Sequence, residues 1–592
     1  MGRGLLLPTM LHNALRYDLS GKLQRAQLWL VSISAFLLPL VVLWSTNDPV
    51  VLPKILAARV LVLLIAALVL ARWLRAELKV RRTPLDVPIL AYVASAGVST
   101  LFAANVNLAL FGAYGRMEGF ITIATYAALF WLTVQSLSNP AEARVVLRAL
   151  LAGAFVVSLI AVLQAVAGDL VAGPTSGLAR AAATFGNSNA LAAYLAMTLP
   201  LAVNEYLQAR STSDRILVGN VVVIVAIALV MTLGRGGWAG AVAGVAIVIA
   251  RTRPSLRRVT VIASAVAGLA AAIVIVAALF GGGGPSIAQS TAARLLSLLD
   301  PSAGTGAIRL HIWKDTLGLI ASRPLVGYGP DTFGLVFPTF QTGAWSGVSI
   351  IDESHSEVLQ IAATQGFLGL AAFGSLCIAF MRIWWRGRHH ILASGVLGAG
   401  AGYLVTILVN FSVVPAALPF WIFLGAAAVI LQGDPAPSQA AAAARNERSR
   451  PVQLAAGLLA VAVLAALTIA LPYAADARFH DALAALLAGD GGRAASLVAD
   501  ARSLQPQQQV YAAAAGNIAM ADADWVRARA DYMKAATLGS YDPALFRQLA
   551  IADKHLGLQA EAVAAAKRSV ELDRFDPRNL AVLQTVTSAP PG

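Results

Sequence analysis

Apolar residues dominate the first four fifths of the chain, in blocks of about 18 to 25 residues separated by short polar loops. Blocks of that length cross the hydrocarbon core of a bilayer when they are helical. We therefore expect an all-α fold whose main part is a polytopic membrane helical bundle. The pattern predicts thirteen spanning helices, near residues 27–45, 55–73, 84–103, 118–137, 146–167, 187–207, 216–233, 236–250, 259–280, 356–381, 391–410, 413–432 and 452–472.

The composition agrees with a membrane location. Of the 592 residues, 58% are hydrophobic and only 12% are charged, whereas about a quarter are charged in soluble proteins. The net charge of +14 is not gathered into one basic surface, and Cys377 is the only cysteine. These features exclude a nucleic-acid-binding domain, a secreted disulfide scaffold and a disordered tail. Because no small-residue cleavage site follows the first apolar block, that block indicates a signal anchor.

Basic residues are divided unevenly between the two sides of the predicted bundle. With the N-terminus in the cytoplasm, 23 of the 44 lysines and arginines lie inside before the last span, nine lie outside, and twelve follow that span. Cytoplasmic loops of membrane proteins carry such an excess. We therefore predict a multi-pass protein of the cytoplasmic (inner) membrane, with residues 1–26 and the linker 433–451 in the cytoplasm. The large loop 281–354 and everything after the span 452–472 then lie outside.

The region 475–592 shows an internal repeat. Asp542-Pro543 and Asp576-Pro577 are separated by 34 residues, which is the tetratricopeptide period. We expect an extracytoplasmic tetratricopeptide-like α-solenoid, a fold suited to binding a protein partner. A generic alanine-rich helical array is the alternative.

One histidine of the large outer loop is flanked by carboxylates. It is His355, within the sequence Asp-Glu-Ser-His-Ser-Glu at 352–357, where Ser354 is placed to cap the helix that begins near residue 356. Asp352 and Glu353 could hold one imidazole nitrogen and leave the other as a base. A lone histidine is also commonly structural, so the residues alone leave both interpretations open.

Four arginines break the pattern that keeps basic residues inside, namely Arg116, Arg180, Arg235 and Arg309. Each one alone is most simply an interfacial side chain that reaches the lipid headgroups. Four arginines on the outer side, which is otherwise poor in basic residues, indicate an anionic ligand instead. Because guanidinium matches phosphate with paired donors, a lipid-linked phosphate or pyrophosphate is the expected ligand.

The same loop contains a turn rich in Gly and Pro at residues 323–333, in which Tyr328 could present its ring to a sugar. A plain connection between helix and loop is the alternative. No Asp-x-Asp and no close histidine pair lies near the membrane, and helix capping explains Asp522-Ala-Asp524 in the repeats. We therefore expect metal-independent chemistry and no cofactor.

Several short motifs occur in order across about residues 110–380, around the one long outer loop. With them the chain resembles the O-antigen ligase / O-antigen polymerase family of membrane glycosyltransferases. The motifs are Thr184-Phe-Gly-Asn-Ser-Asn189 with Arg180 before it, Leu233-Gly-Arg235-Gly, Arg309-Leu-His-Ile-Trp313, Pro324-Leu-Val-Gly-Tyr-Gly329 with Phe333, and His355 followed by Leu359-Gln360 and Gly366-Phe-Leu-Gly369.

The resemblance implies a C-type glycosyltransferase architecture over residues 27–432 and an undecaprenyl-pyrophosphate-linked glycan as donor. It implies that His355 is the essential loop histidine and that Arg235 and Arg309 bind the pyrophosphate. Three positions depart from the family pattern. The usual Gly-Asn-Pro-Asn is Gly-Asn-Ser-Asn with Ser188, the usual His-Asn is followed here by Ser356, and Asp331 replaces a Gly.

The predicted function is an O-antigen ligase reaction, an inverting glycan transfer to an acceptor hydroxyl outside the cytoplasm. His355 would take the acceptor proton, and the acceptor would be a glycan, a glycolipid or a protein. An O-antigen or polysaccharide polymerase and a protein O-oligosaccharyltransferase are alternatives within the same chemistry. A lipid or polysaccharide transporter and a non-catalytic membrane anchor for the repeats are alternatives of another class.

Overall fold

The structure is a computed structural model that describes residues 6–75, 80–167, 180–261, 305–343, 350–433 and 463–588, with a few positions in 263–268 and 456–460. Of the residues that the structure describes, 78% are helical and none is in a strand. The predicted all-α class is therefore confirmed.

The membrane part contains helices that follow the apolar blocks closely. Six of the described helices are long and apolar enough to cross a membrane (α2, α6, α7, α8, α11 and α13 below), and α3, α5 and α12 are shorter apolar helices. The predicted span 259–280 lies largely outside the described residues and 452–472 lies partly outside them, so the count of thirteen stays a prediction. The helices are α1 (Leu6–Leu37), α2 (Val51–Leu74), α3 (Asp86–Leu101), α4 (Val106–Phe111), α5 (Phe120–Ser136), α6 (Pro140–Ala167), α7 (Ser188–Gln208), α8 (Thr212–Met231), α9 (Arg235–Thr252), α10 (Thr305–Ser322), α11 (Glu357–Gly387), α12 (Ala393–Leu408) and α13 (Val414–Gln432).

The first helix differs most from its prediction. A span near 27–45 was expected, but α1 ends at Leu37, just before Pro39, and begins as early as Leu6. Proline lacks the backbone N–H that a helix interior needs. The carboxylate of Asp48 then accepts the N–H groups of residues 50–52 at 2.9–3.1 Å and so starts α2. The backbone between the two helices is irregular for this reason.

Helix α9, the shortest of the predicted spans, is placed by glycines. It packs against α7 and α12. A Cβ on Gly237 would lie 2.5 Å from the Ala192 side chain, and one on Gly240 would collide with the Gly402 carbonyl oxygen. Small residues let helix backbones approach this closely. The N-terminus of α9, which begins at Arg235, is therefore held against α12.

The turn 324–329 packs against a sharp break in α11. Gly366 has φ 66° inside α11, and Gly327 has the same φ in the turn. Two hydrogen bonds join the segments, from the Gly329 N–H to the Thr364 oxygen at 2.8 Å and from the Phe367 N–H to the Pro324 oxygen at 2.7 Å. Since only glycine adopts this backbone freely, two motifs that are separate in the sequence form one structural unit.

The C-terminal region consists of seven helices. Successive pairs pack as hairpins (α14 with α15, α16 with α17, α18 with α19), and α20 packs against the last pair. Helices α16, α18 and α20 begin at residues 509, 543 and 577, at 34-residue intervals. The spacing agrees with the expected period, while the tetratricopeptide assignment itself stays a prediction. The helices are α14 (Leu471–Leu487), α15 (Gly491–Leu504), α16 (Gln509–Ala521), α17 (Trp525–Thr537), α18 (Pro543–His555), α19 (Gln559–Leu572) and α20 (Pro577–Thr587).

The repeats are docked on one end of the membrane bundle. Asn107 donates to the carbonyl oxygens of Gln507 and Leu538, both at 2.9 Å, and the Tyr114 hydroxyl donates to Asp476 at 2.6 Å. Arg574 donates to the carbonyl oxygens of residues 338 and 341. We call this end the repeat-bearing face. It contains the loops that the charge distribution assigns to the outside.

Candidate active site

His355 lies in an irregular segment just before α11. The helix begins at Glu357 with Ser356 as its N-cap residue, so the prediction that Ser354 caps it is wrong. The Ser354 hydroxyl instead donates to the Ser356 carbonyl oxygen at 2.8 Å, and the Ser354 N–H donates to Gln360. His355 itself has φ 53°, a backbone conformation that is uncommon for a residue with a side chain.

The imidazole of His355 is half-buried and uncharged at neutral pH. Burial lowers its pKa to about 4, and the positive charge of Arg309 acts in the same direction, while Asp352 opposes both. The ring lies 5.2 Å from that of Phe411, between centroids. Its Nδ1 is buried and has no hydrogen-bond partner among the described residues. A buried nitrogen without a partner is unusual and is often found where a site binds its ligand.

The carboxylates beside His355 do not hold its ring, contrary to our expectation. Asp352 and Glu353 both bind Arg116, the former at 3.1 Å. The guanidinium of Arg116 also binds Asp331 at 2.7 Å and Glu118 at 3.1 Å. We call these five residues the Arg116 cluster.

The Arg116 cluster is rich in negative charge, and its members are largely buried except for Asp352, whose side chain is 48% exposed. Burial raises the pKa of Glu118 and of Glu353 well above their usual range, while Arg116 opposes the rise. The surrounding carboxylates in turn hold the pKa of Arg116 well above its usual value. Because four protein carboxylates engage this guanidinium, the geometry favours an internal ion-pair role for Arg116 over the predicted binding of pyrophosphate.

Asn410 binds Arg309 of α10 and lies close to the start of α9, whose first residue is Arg235. Arg309 donates to the Asn410 side-chain oxygen at 2.8 Å. The residue after Arg235 is Gly236, which lies so close to Asn410 that a Cβ there would be 2.8 Å from the amide nitrogen. Asn410 therefore joins Arg309 of α10 to the first turn of α9, near the histidine whose pKa Arg309 lowers.

Arg180 extends this arrangement on the other side of Arg235. It donates to the Thr232 carbonyl oxygen at 2.9 Å and to the Asn189 side chain at 3.0 Å. Asn189 also lies near Gly234, with 3.8 Å between its side-chain oxygen and a Cβ built there. We call Arg180, Arg235, Arg309 and Asn410 the arginine group.

Tyr328 has a different neighbourhood. The guanidinium of Arg323 lies 4.6 Å from its ring centroid, and its hydroxyl is 2.8 Å from that of Ser322. Its N–H donates to the Ala363 oxygen. The structure thus places Tyr328 in the turn that packs on α11 and covers one ring face with Arg323, while its contact with a sugar stays a prediction.

The three departures from the family pattern each have a local explanation. Ser188 is the first residue of α7, where proline is favoured but not required, and the Asn187 side chain caps that helix by accepting the Asn189 N–H at 2.8 Å. Ser356 occupies an N-cap position, for which Ser and Asn are both suitable.

Asp331 replaces a glycine at φ 57°, where glycine is the least strained residue. Its carboxylate accepts the N–H groups of Ala113 at 2.7 Å and of Glu118 at 3.1 Å, in addition to Arg116. These bonds compensate the strain and tie the loop 324–333 to the loop 112–118.

Sequence reasoning missed Asn410 and Phe411, which contact Arg309 and His355. The sequence does mark Asn410 as a candidate, because it is a polar residue at the boundary of two apolar blocks. Its partner could not be identified, since Arg309 is separated from it by 101 positions.

No group of three or more His, Cys, Asp or Glu side chains with a geometry suited to a metal ion occurs within the described ranges. Asp524 accepts the N–H of Arg527 as the N-cap of α17, as expected. Metal independence of the reaction stays a prediction.

Comparison with known families gives one match. Residues 221–374 match the family model described as O-Antigen ligase, a segment of about a quarter of the chain. The segment includes Arg235, Arg309, Tyr328 and His355, while Arg116, Arg180 and Asn410 lie outside it. A comparison with curated proteins finds no match. The chain therefore carries a domain of the O-antigen ligase family, the membrane glycosyltransferases of O-antigen ligase and polymerase type, at residues 221–374.

Proposed function

We propose that the protein transfers a glycan from an undecaprenyl-pyrophosphate carrier to an acceptor hydroxyl at the outer face of the cytoplasmic membrane, as an O-antigen ligase. The observation that carries this proposal is the position of Arg309, which binds Asn410 and whose charge lowers the pKa of His355. A guanidinium group and an uncharged imidazole therefore lie within electrostatic reach of each other. The first suits a pyrophosphate and the second a proton transfer.

In the proposed reaction Arg235 and Arg309 bind the pyrophosphate of the donor. Their charge stabilises the negative charge that develops on the leaving group as the bond between the anomeric carbon and the phosphate oxygen breaks. Arg180 supports this subsite from the side of α7. The carrier pyrophosphate leaves with the electron pair of the broken bond and needs no general acid.

His355 accepts the proton of the acceptor hydroxyl while the hydroxyl oxygen forms its bond to the anomeric carbon from the opposite side. The configuration at that carbon is inverted. The low pKa of His355 keeps the ring uncharged and ready to accept a proton. A pyrophosphate beside Arg309 would offset the arginine charge, so donor binding would raise this pKa and make the imidazole a stronger base.

The direct test is reconstitution of the protein in lipid vesicles with an undecaprenyl-pyrophosphate glycan and candidate acceptors. A single addition per acceptor supports the ligase reaction. A growing ladder of products would replace it by the polymerase alternative, and a product on a protein side chain by the protein O-oligosaccharyltransferase.

We predict that His355→Ala abolishes transfer without changing the amount of protein inserted in the membrane. The reason is that alanine leaves no imidazole at position 355 to accept the proton of the acceptor hydroxyl. The measurement is product formation at matched protein levels, and His389→Ala, at an exposed histidine just after α11, serves as a control. Near-normal product from His355→Ala would contradict the assignment.

A further inference from the structure

A basic groove lies at the end of the bundle opposite the repeat-bearing face. It encloses about 400 Å³ between the start of α3 and the last turns of α11. Arg382 and Arg386 of α11 form its polar wall, while Pro88, Ile378 and Ile383 contribute apolar surface. A volume of this size is in the range of small-molecule sites. We call it the Arg382 groove.

The length of α11 places this groove at the other side of the membrane from the repeat-bearing face. Arg382 follows Glu357, the first residue of α11, by 25 positions, which corresponds to about 38 Å of helix. The hydrocarbon core is about 30 Å thick. Helix α3 runs antiparallel to α11, because Ala104 beyond its end binds Tyr328 while Pro88 near its start lines the groove. The groove therefore lies at the interface that the charge distribution assigns to the cytoplasm.

The groove opens toward the lipid. Val87 and Leu90 of α3 and Ile378 of α11 are each more than half exposed, and exposed apolar side chains on spanning helices face the acyl chains. Trp385 is exposed beside Arg386, and tryptophan is enriched at the level of the lipid head groups. The arginines of the groove therefore lie at head-group level, with an apolar strip of each helix below them.

The two arginines of the groove have donors to spare. Arg382 and Arg386 are exposed and one helical turn apart, and within the described ranges no hydrogen bond or ion pair holds either side chain. By contrast, Arg144 and Arg148 on the same side both bind Glu205, at 2.8 and 3.1 Å. Side chains at positions i and i+4 share one face of a helix. The pair can therefore donate to the oxygens of a single phosphate group.

The charges around the groove favour an anionic head group over a zwitterionic one. No acidic residue is among its described lining. Asp86, at the start of α3, is engaged elsewhere, since it accepts the N–H and the hydroxyl of Thr83 at 2.9 and 2.6 Å. The ammonium group of a choline or ethanolamine lipid would find no counter-charge in the groove, whereas a phosphate would find two guanidinium groups.

We propose that the Arg382 groove binds an anionic phospholipid of the inner leaflet through its phosphate. Arg382 and Arg386 donate to the phosphate oxygens, and Ile378 and Ile383 contact the first methylene groups. The two acyl chains lie along the exposed apolar strips of α3 and α11, one on each helix. The site is on the other side of the membrane from the arginine group and does not depend on the proposed transfer reaction.

Binding is tested by native mass spectrometry of the full chain in detergent micelles, with phosphatidylglycerol and phosphatidylcholine of identical acyl chains as probes. We expect phosphatidylglycerol to bind about tenfold more tightly, because basic residues at the membrane surface favour anionic lipids. Arg382→Gln/Arg386→Gln should bind the two lipids equally. Equal affinities in the wild type, or an unchanged preference in this variant, would overturn the proposal.

The matched control is Arg257→Gln/Arg258→Gln, which removes two exposed arginines from the same side of the bundle. It should keep the preference for phosphatidylglycerol. Arg382→Lys/Arg386→Lys should keep most of it, because the positive charge remains. Melting temperatures measured without added lipid show that each variant is folded. If the control loses the preference as fully as the groove variant, the charge of the whole side is responsible and the proposal is overturned.

Two competitors distinguish the sources of the phosphate. Inorganic phosphate in excess should not displace phosphatidylglycerol, because it lacks the contacts of the methylene groups. Undecaprenyl phosphate at equal concentration should not displace it either, because its single chain covers the apolar strip of only one helix. Displacement by the first would indicate a site for a free anion, and displacement by the second a site for the glycan carrier. Either result would overturn the proposal.

Discussion

At the scale of single residues, His355 combines an uncommon backbone conformation with a depressed pKa. Its φ of 53° turns the ring toward Phe411, away from the flanking carboxylates, which bind Arg116. Burial and Arg309 disfavour the charged imidazole. The pKa of the His355 imidazole is therefore set by burial and by Arg309 of α10 more than by Asp352, its neighbour in the sequence.

The pH dependence of transfer follows from this pKa. The free enzyme loses the neutral form of His355 as the pH falls through about 4, so kcat/KM should fall there. In the donor complex the pyrophosphate offsets Arg309, and the acid limb of kcat should lie at higher pH. The measurement is the pH profile of both parameters. Coincident acid limbs would contradict the predicted coupling between Arg309 and His355.

Arg116 and Arg235 should respond differently to the same substitution. Arg116→Met leaves several buried carboxylates without their cation, and we expect a loss of about 3–5 kcal/mol in the free energy of unfolding. Arg235→Met should lower transfer while changing stability less. Thermal unfolding in nanodiscs and product formation are measured for both variants. An unchanged melting temperature for Arg116→Met would refute the ion-pair role.

At the scale of elements, glycines decide how α9 presents Arg235. Gly236, Gly237 and Gly240 face α7 and α12 at distances that leave no room for a side chain. Because α9 contains few large apolar residues, its apolar block was the hardest of the predicted spans to recognise in the sequence. Its packing depends on close backbone approach more than on large side chains.

We predict that Gly240→Ala destabilises the bundle by about 1–3 kcal/mol, because the new Cβ collides with the Gly402 oxygen. The displaced α9 should also move Arg235, its first residue, and lower transfer. The control is Gly374→Ala in α11, where no atom lies within 4 Å of the added Cβ. Equal melting temperatures and equal activities for the two variants would argue against this packing.

At the scale of the whole molecule, the repeats form part of the environment of the site. The Tyr541 ring lies against Gly334, 2.8 Å from a Cβ built there, and the charges of the Arg116 cluster influence its hydroxyl. Burial raises the pKa of Tyr541, and Asp331 acts in the same direction. The repeat domain thus reaches the cluster that carries Asp352 and Glu353.

Loosening this contact should therefore lower transfer. We expect Tyr541→Ala to reduce the rate by about ten- to a hundredfold with the protein still inserted, because small displacements in a catalytic site are costly. The comparison variant is Val526→Ala, at a position 67% exposed on α17. If both variants transfer at the wild-type rate, the repeats are accessory to the reaction and serve another purpose.

The arginines of the candidate site show how much of that site could be predicted from the sequence. The three arginines of the arginine group were predicted because they lie on the outer side, which is otherwise poor in basic residues, whereas Asn410 was not. The structure brings Arg180 and Arg309 to the two ends of the segment that begins α9 with Arg235. Arg116 satisfied the same criterion and yet pairs with carboxylates. The difference lies in Asp331 and Glu353, which are more than 200 positions away in the chain.

By itself the sequence determined the membrane class, the positions of most helices and the family motifs, because hydropathy, helix caps and short motifs are properties of neighbouring residues. The tertiary structure alone decided that Asn410 joins Arg309, that the carboxylates beside His355 bind Arg116, and that the turn 324–329 packs on the break in α11 at Gly366. These features depend on contacts between residues that are distant in the chain, and packing of the helices is what brings those residues together.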